Sequence, residues 1–276
     1  MILDSRFMNS RIDMIRITNQ SRIENRESRI VKLRGKVVLV AGAGSGIGRA
    51  AAVRLGGEGA TLVLVGRTRE TLIETKAALG GAVAFVRPAD VSDADAVDGL
   101  AREVLARFAR LDVLVNAAGI NVRQRSLADG SVDDFVRVVN TNLRGAFLLS
   151  RAFLPPMRAQ GSGTIIHVVS DSGVRGNDFA GVGYIASKFG LRGLTEAINA
   201  EERRHGIRVT AIVPGEVNTP ILDQRPTPPS SEAREQMLQP EDVAECIALA
   251  ATLPPRAIVE ELVIRPGAQD WVSRRS

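Results

Sequence analysis

The sequence predicts a doubly wound α/β domain: a mostly parallel, seven-stranded sheet with helices on both faces. Three observations predict it. Seven short, β-branched apolar runs recur along the chain, and the stretches between them are long and amphipathic enough for crossover helices. The first run leads directly into a glycine-rich loop and a helix-forming segment. Runs so continuously apolar suit strands covered on both faces rather than half-exposed antiparallel ones.

With 276 residues, 45% of them hydrophobic, the chain can bury one sizeable core. Residues 1–34 mix scattered Ile and Met with Arg, Asn and Ser and show no sustained period, so they read as an extension peripheral to a domain over 35–276. A targeting segment or a partner-binding arm is the alternative, and Asp4, Asp13, Glu24 and Glu27 argue against an acid-poor presequence. This extension holds eight Lys+Arg against four Asp+Glu, so of the net charge of +5 only +1 falls on the rest of the chain. A nearly neutral domain has no electrostatic footprint for a phosphate backbone, and no nucleic-acid partner is expected. No apolar run reaches about 18 residues, so no membrane partner is expected either. The single cysteine, Cys246, excludes an internal disulfide and fits the reducing cytoplasm. Two histidines and one cysteine offer no metal-ligand cluster.

The first run, VVLV (37–40), is followed by AGAGSGIG, with Gly42, Gly46 and Gly48 in a GxxxGxG arrangement, and then by the helix former RAAAVRL. Glycines at these positions permit a tight turn, close backbone approach to a pyrophosphate, and close packing of the helix whose N-terminal amides attract the anion. The context is that of a Rossmann-type dinucleotide loop; a plain glycine-rich turn is the competing reading. After the second run, TLVLV (61–65), an acid would hold the adenosine ribose of NAD. Gly66 stands there instead, and Arg67, with Arg69 a second candidate, is placed to pair with a 2′-phosphate. NADP(H) is therefore expected over NAD(H), against the reading of Arg67 as an ordinary surface arginine.

The remaining runs are AVAFV (82–86), DVLVN (112–116), TIIHVV (164–169), RVTAIV (208–213) and ELVI (261–264). Before the sixth lies YIASKFGLRGLTEAINAEERRHG, which reads as a helix ending at Gly206. It carries the chain's one tyrosine, Tyr184, and one of its four lysines, Lys188, at a spacing that puts both on one helix face. A free phenol titrates near 10 and is a poor base, but a neighbouring ammonium favours the phenolate. Lowering it by about 3 units takes roughly 4 kcal/mol, which the lysine and a positively charged nicotinamide together could supply. That is the chemistry of proton exchange with an alcohol oxygen while a hydride moves to or from carbon.

Seven ordered motifs carry a resemblance over residues 35–220: AGAGSGIG, Asp90 in ADVSD, NAAG (116–119), Asn142 in NTNLRG, Ser170 in HVVSDSG, YxxxK (184–188) and PGEVNTP (214–220). The sequence resembles the short-chain dehydrogenase/reductase family. The resemblance implies Tyr184 as general acid/base, Ser170 as the hydroxyl on the reacting oxygen, Lys188 as the group that lowers the Tyr184 pKa and binds the nicotinamide ribose, and Asn142 as holder of a proton-relaying water. It implies cofactor contacts from Gly42, Ser45, Gly46, Ile47 and Gly48, from Arg67, from Asp90 and Val91, from Asn116 and Ala117, and from Pro214, Gly215, Val217 and Thr219. It also implies a homo-oligomer, dimeric or tetrameric.

Alternatives stay open beside it. Ser172 rivals Ser170; Asn142 has Asn140 close by and could simply bridge helices; Asn116 could be purely structural. His167, inside an apolar strand, and His205, at a helix end, read as non-catalytic. Ala41 replaces the threonine common before the first glycine, and EELVIRPGAQDW lacks the family's glycine-rich terminal signature. Arg123 and Arg125, just past NAAG, are candidates for an anionic group on the substrate. Residues 221–239, Pro- and Ser-rich, are expected to form a substrate lid. The expected activity is hydride transfer between NADP(H) and a small-molecule secondary alcohol or ketone; a non-catalytic dinucleotide-binding sensor or scaffold is the alternative.

Overall fold

The computed structural model describes residues 31–267. The chain divides into two units, Met1–Lys32 and Leu33–Ser276. The expected extension over 1–34 therefore lies, up to residue 30, outside the described residues.

The central apolar runs become strands because alternate side chains enter two different apolar layers, whereas the edge strand 261–264 partly buries only Leu262 and Ile264. Val38, Val40, Leu62, Leu64, Val115 and Ile166 pack into one layer with Ala51, Leu55, Val243 and Ile247; Leu39, Val63, Val65, Leu114, Ile165 and Val209 pack into the other with Leu100, Val104, Leu149 and Phe153. Burial on both faces stabilises by about 1.5–3 kcal/mol per large apolar side chain, and leaves no polar face to break the runs. The strands are β1 (Val37–Ala41), β2 (Thr61–Gly66), β3 (Ala84–Pro88), β4 (Val113–Asn116), β5 (Gly163–Val168), β6 (Ile207–Pro214) and β7 (Glu261–Ile264). All pair in parallel, in the order β3-β2-β1-β4-β5-β6-β7. This is the doubly wound, Rossmann-like sheet, and its order reverses between β1 and β4, where the crevice for a ligand opens.

The helices are α1 (Gly46–Gly56), α2 (Arg69–Ala77), α3 (Ala94–Phe108), α4 (Val132–Val139), α5 (Gly145–Gln160), α6 (Val182–Glu202), α7 (Ser231–Glu235) and α8 (Pro240–Thr252). Asp93 and Ser131 cap α3 and α4 with side-chain oxygens that accept from first-turn amides. A π-helical turn, Asn140–Arg144, joins α4 to α5. The helix expected to reach Gly206 stops four residues earlier, at Glu202. A 3₁₀ turn, Arg203–His205, follows, and Gly206 closes it at φ +73°, where an added Cβ would lie 2.3 Å from the Gly161 carbonyl oxygen. Between β6 and α8 the chain makes an excursion through a 3₁₀ turn (Pro220–Gln224) and α7. Its base is fastened by Asn218 N–H to the Leu238 carbonyl, 2.8 Å, and Leu238 N–H to the Glu216 carbonyl, 3.1 Å. Among the described residues no helix is long and apolar enough to cross a membrane.

Candidate active site

A cleft of about 400 Å³ runs along the C-terminal ends of the strands, within the range of small-molecule and cofactor sites. At one end lies the glycine loop. Gly42 has φ +80°, and a Cβ there would sit 2.7 Å from backbone atoms of Ala117 and Ala118; a Cβ on Gly48 would sit 2.1 Å from the Gly42 carbonyl oxygen. Both positions lack side chains because backbone meets backbone there. The consequence is that α1 starts against the cleft, with Ser45, Gly46 and Ile47 on its wall and no side chain of Ser45 capping its amides. Uncapped helix N-terminal amides facing an open cleft suit a pyrophosphate.

Next to the loop, Gly66 ends β2, where a Cβ would press on Leu72 at 3.3 Å. Position 66 itself therefore carries no acid side chain. Arg67 is exposed and lines the cleft; Arg69 does not line it. Asp90, on the facing wall, loses hydration to burial, yet hydrogen bonds from the Ser92 amide (2.9 Å) and hydroxyl (2.7 Å), together with the Arg67 charge, hold it below the usual carboxylate range. Val91, Ala117, Pro214, Gly215, Val217 and Thr219 complete this half of the cleft.

Tyr184 and Lys188 stand one turn apart on α6 and both face the cleft. The Lys188 Nζ lies 5.6 Å from the Tyr184 ring centroid and donates to the Val168 carbonyl at 2.8 Å. Burial pushes the ammonium down to about 8. Burial raises the Tyr184 phenol above its ordinary value, and the Ser170 hydroxyl and the guanidiniums of Arg225 and Arg125 oppose the rise. The helical spacing places the two groups on one face of α6. In the chain alone Tyr184 stays protonated at neutral pH.

Ser170, at the end of β5, is the serine that acts on this phenol; its Oγ also accepts from the Ser172 amide at 3.2 Å. Ser172 is turned to Asn177, from which it accepts at 3.0 Å. Asn142 and Asn116 line no part of the cleft. Asn142 is fully buried in the π turn: its Oδ1 accepts from Ile120 N–H (2.8 Å) and its Nδ2 donates to the Ile120 carbonyl (3.0 Å) and Ser187 Oγ (3.0 Å). Both amide hydrogens of the expected water holder are thus used within the protein. Ser187 in turn donates to the Tyr184 carbonyl at 2.7 Å, so the amide braces the turn that carries Tyr184. Asn116 bends back to accept from Ala118 N–H at 3.3 Å and leaves its buried Nδ2 without a partner.

His167 is fully buried, with Nδ1 2.9 Å from Thr195 Oγ1 and Nε2 3.3 Å from Ser150 Oγ. Burial, with the Lys188 charge, pushes it down to about 3, so it remains neutral and lies outside the cleft. Of the two arginines past NAAG, Arg125 lines the cleft and Arg123 is exposed outside it. The sequence singled out no role for Arg225, Glu216 or Phe179, which meet at the same end: Arg225 pairs with Glu216 at 2.6 Å and lies 5.4 Å over the Phe179 ring. Only the place of Glu216 in PGEVNTP and of Arg225 in the expected lid pointed toward the site; Phe179 lies in neither. The C-terminal segment contributes Arg265, which pairs with the cleft residue Asp171 at 2.7 Å.

Known proteins with these features bear directly on the fold and the site. The short chain dehydrogenase family model matches residues 36–229. Levodione reductase of Leifsonia aquatica is 42% identical over 192 residues, covering 68% of this chain and 72% of that protein. An uncharacterized oxidoreductase of Staphylococcus aureus (strain USA300) is 34% identical over 234 residues, covering 85% of this chain and 98% of its own. The crystal structure of a metagenomic short-chain oxidoreductase in complex with NADP superposes with a TM-score of 0.75 at 34% identity, over 86% of this chain and all (100%) of that one. The match runs through the glycine loop, the Tyr–Lys helix and the strand order alike, and the chain belongs to the short-chain dehydrogenase family of oxidoreductases.

Proposed function

We propose that this protein interconverts a secondary alcohol and a ketone with NADP(H), and that Tyr184 exchanges the proton. The observation that carries the reading is the sharing of one cleft by the uncapped start of α1 and the Tyr184–Ser170–Lys188 group. The residues fit the cofactor: the Gly42–Gly48 contact opens a cradle that any side chain would fill, and Gly66 puts no acid side chain at position 66 beside Arg67. Gly42, Ser45, Gly46, Ile47 and Gly48 would hold the pyrophosphate, Arg67 the 2′-phosphate, Asp90 and Val91 the adenine side, and Pro214 to Thr219 the nicotinamide side. The relative solved with NADP supports this choice over NAD. When bound, the nicotinamide supplies the hydride acceptor or donor.

The rest is the work of the chain. Ser170 orients the substrate oxygen toward the Tyr184 hydroxyl. A phenol raised by burial is a proton donor at neutral pH, which suits protonation of the nascent alkoxide in ketone reduction. In alcohol oxidation the phenolate is required, and the Arg125, Arg225 and Ser170 contributions, joined by positive charge in the cleft, favour it. Lys188, held by the Val168 carbonyl, is mostly protonated below about pH 8 and is placed for a ribose hydroxyl. Asn142 positions the catalytic turn through Ser187. A panel of ketones and secondary alcohols run with NADP(H) and with NAD(H), followed by absorbance of the reduced nicotinamide, tests the reading. Turnover with NADP(H) preferred is expected; cofactor binding with no turnover of any pair favours a sensor or scaffold.

A further inference from the structure

We propose that the substrate end of the cleft is an oxyanion site in which Arg125, beside Arg225, binds a carboxylate of the substrate, so that the compound turned over is a hydroxy acid or its oxo acid. The inference rests on the oxidoreductase reading and narrows its substrate class.

Arg125 stands out because no carboxylate answers its charge among the described residues. Among them its buried Nε has no hydrogen-bond partner, and its Nη2 donates to the Gln224 carbonyl. Among the described residues the charged and titratable groups acting on it are Arg225, which repels it, and Tyr184, with no carboxylate. The Arg125 guanidinium lines the cleft, and a partly desolvated cation there is stabilised by an anionic group that binds beside it. Arg225, by contrast, is already held by Glu216 and by the Phe179 ring. Arg125, Arg225 and Glu216 together leave one positive charge in excess on this wall, before Lys188 is added. A carboxylate supplies the missing counter-charge, and its two oxygens match the guanidinium fork.

The site is also held ready. The Arg125 carbonyl accepts from Val182 N–H at 3.2 Å, at the first residue of α6. Gly181, at φ +86°, has no room for a side chain because a Cβ there would come within 2.5 Å of the Arg125 Cβ. The arginine is thereby pinned to the helix that carries Tyr184. Arg125, Arg225 and Tyr184 line the same cleft of about 400 Å³, so one small molecule can offer a carboxylate to the arginines and a reacting carbon to the phenol.

In the oxidation direction the substrate C–H bond breaks and its electron pair leaves as hydride for the oxidised nicotinamide. The hydroxyl proton passes to the Tyr184 phenolate, and the C–O bond becomes a carbonyl. Reduction is the reverse. The carboxylate gains and loses nothing; it fixes which carbon faces the nicotinamide. The competing explanation is that Arg125 only clasps the Pro220–Gln224 turn, and the experiment separates the two.

The full chain, loaded with NADP(H), is assayed with 2-hydroxybutanoate, 3-hydroxybutanoate and 4-hydroxypentanoate, each against its methyl ester, and binding of each acid is measured by calorimetry. At least one acid is expected to exceed its ester in kcat/KM by about 30-fold or more. Arg125→Met is expected to cut that ratio, and to weaken calorimetric binding of the same acid, by at least about tenfold, with Arg125→Lys in between. Thermal melts establish that each variant is folded, and Arg123→Ala, outside the cleft, should match wild type. Esters turned over as well as acids, acid and ester falling equally in Arg125→Met, or no calorimetric binding of any acid would each overturn the proposal. In the first two cases the oxidoreductase reading survives. Arg125-dependent binding of the acids without turnover of any alcohol or ketone would instead support the anion site and defeat that reading.

Discussion

Replacing Lys188 by methionine should change how stability depends on pH. Burial lowers this lysine from 10.5 to about 8. Below about pH 8 both the folded and the unfolded chain hold the proton, and the folded state carries the cost of the buried ammonium. Between about 8 and 10.5 the folded chain has released the proton while the unfolded chain keeps it, so stability rises with pH. With those two values the gain from pH 7 to 9.5 is about 2 kcal/mol, at a limiting slope of about 1.4 kcal/mol per unit. Tyr184 and Cys246, both raised by burial, work the other way at the top of this window. The quantity to measure is therefore the difference between wild type and Lys188→Met, taken from urea melts of the cofactor-free protein at several pH values. The variant also loses the bond to the Val168 carbonyl, but that offset is nearly independent of pH. Stability curves that run parallel across the window would refute a buried, depressed lysine.

Arg67→Asp should move the NADP/NAD ratio of kcat/KM toward NAD by about 100-fold; a wild type that already favours NAD removes the role given to Arg67. Gly48→Ala drives a methyl against the Gly42 carbonyl and should cost about 3 kcal/mol, read as a Tm lower by roughly 6–12 °C together with weakened nucleotide binding. An unchanged Tm there would mean that the loop yields freely. Asn142→Ala leaves the Ile120 amide and carbonyl and the Ser187 hydroxyl without their partner and should lower stability by about 2–4 kcal/mol along with turnover. Lost turnover at full stability would assign it to the chemistry instead of to bracing.

The fold was legible because a parallel sheet covered on both faces leaves a continuous apolar signature, and every run gave a strand. The edges were less so. The run at 82–86 begins before β3, which starts at Ala84: the Val83 carbonyl accepts from Leu62 N–H, but its apolar side chain is exposed. The Tyr184–Lys188 face followed from helical spacing alone. The balance of forces on the phenol did not, because it depends on how much protein surrounds the oxygen and on Arg225, which is 41 positions away in sequence, on a segment with no periodic pattern. Asn116 and Asn142 sit inside motifs and so read as cleft residues. Their side chains turn to neighbouring backbone, a choice fixed by strand alternation and by the π turn, neither of which a motif encodes.

The most direct test of the account is Tyr184→Phe, which removes one oxygen and little else. Turnover should fall by about 10³-fold or more while the Kd for NADP(H), measured by fluorescence of the reduced nicotinamide, stays within about threefold of wild type. Turnover within tenfold of wild type, with the fold intact, would contradict the assignment of Tyr184 as the group that exchanges the proton.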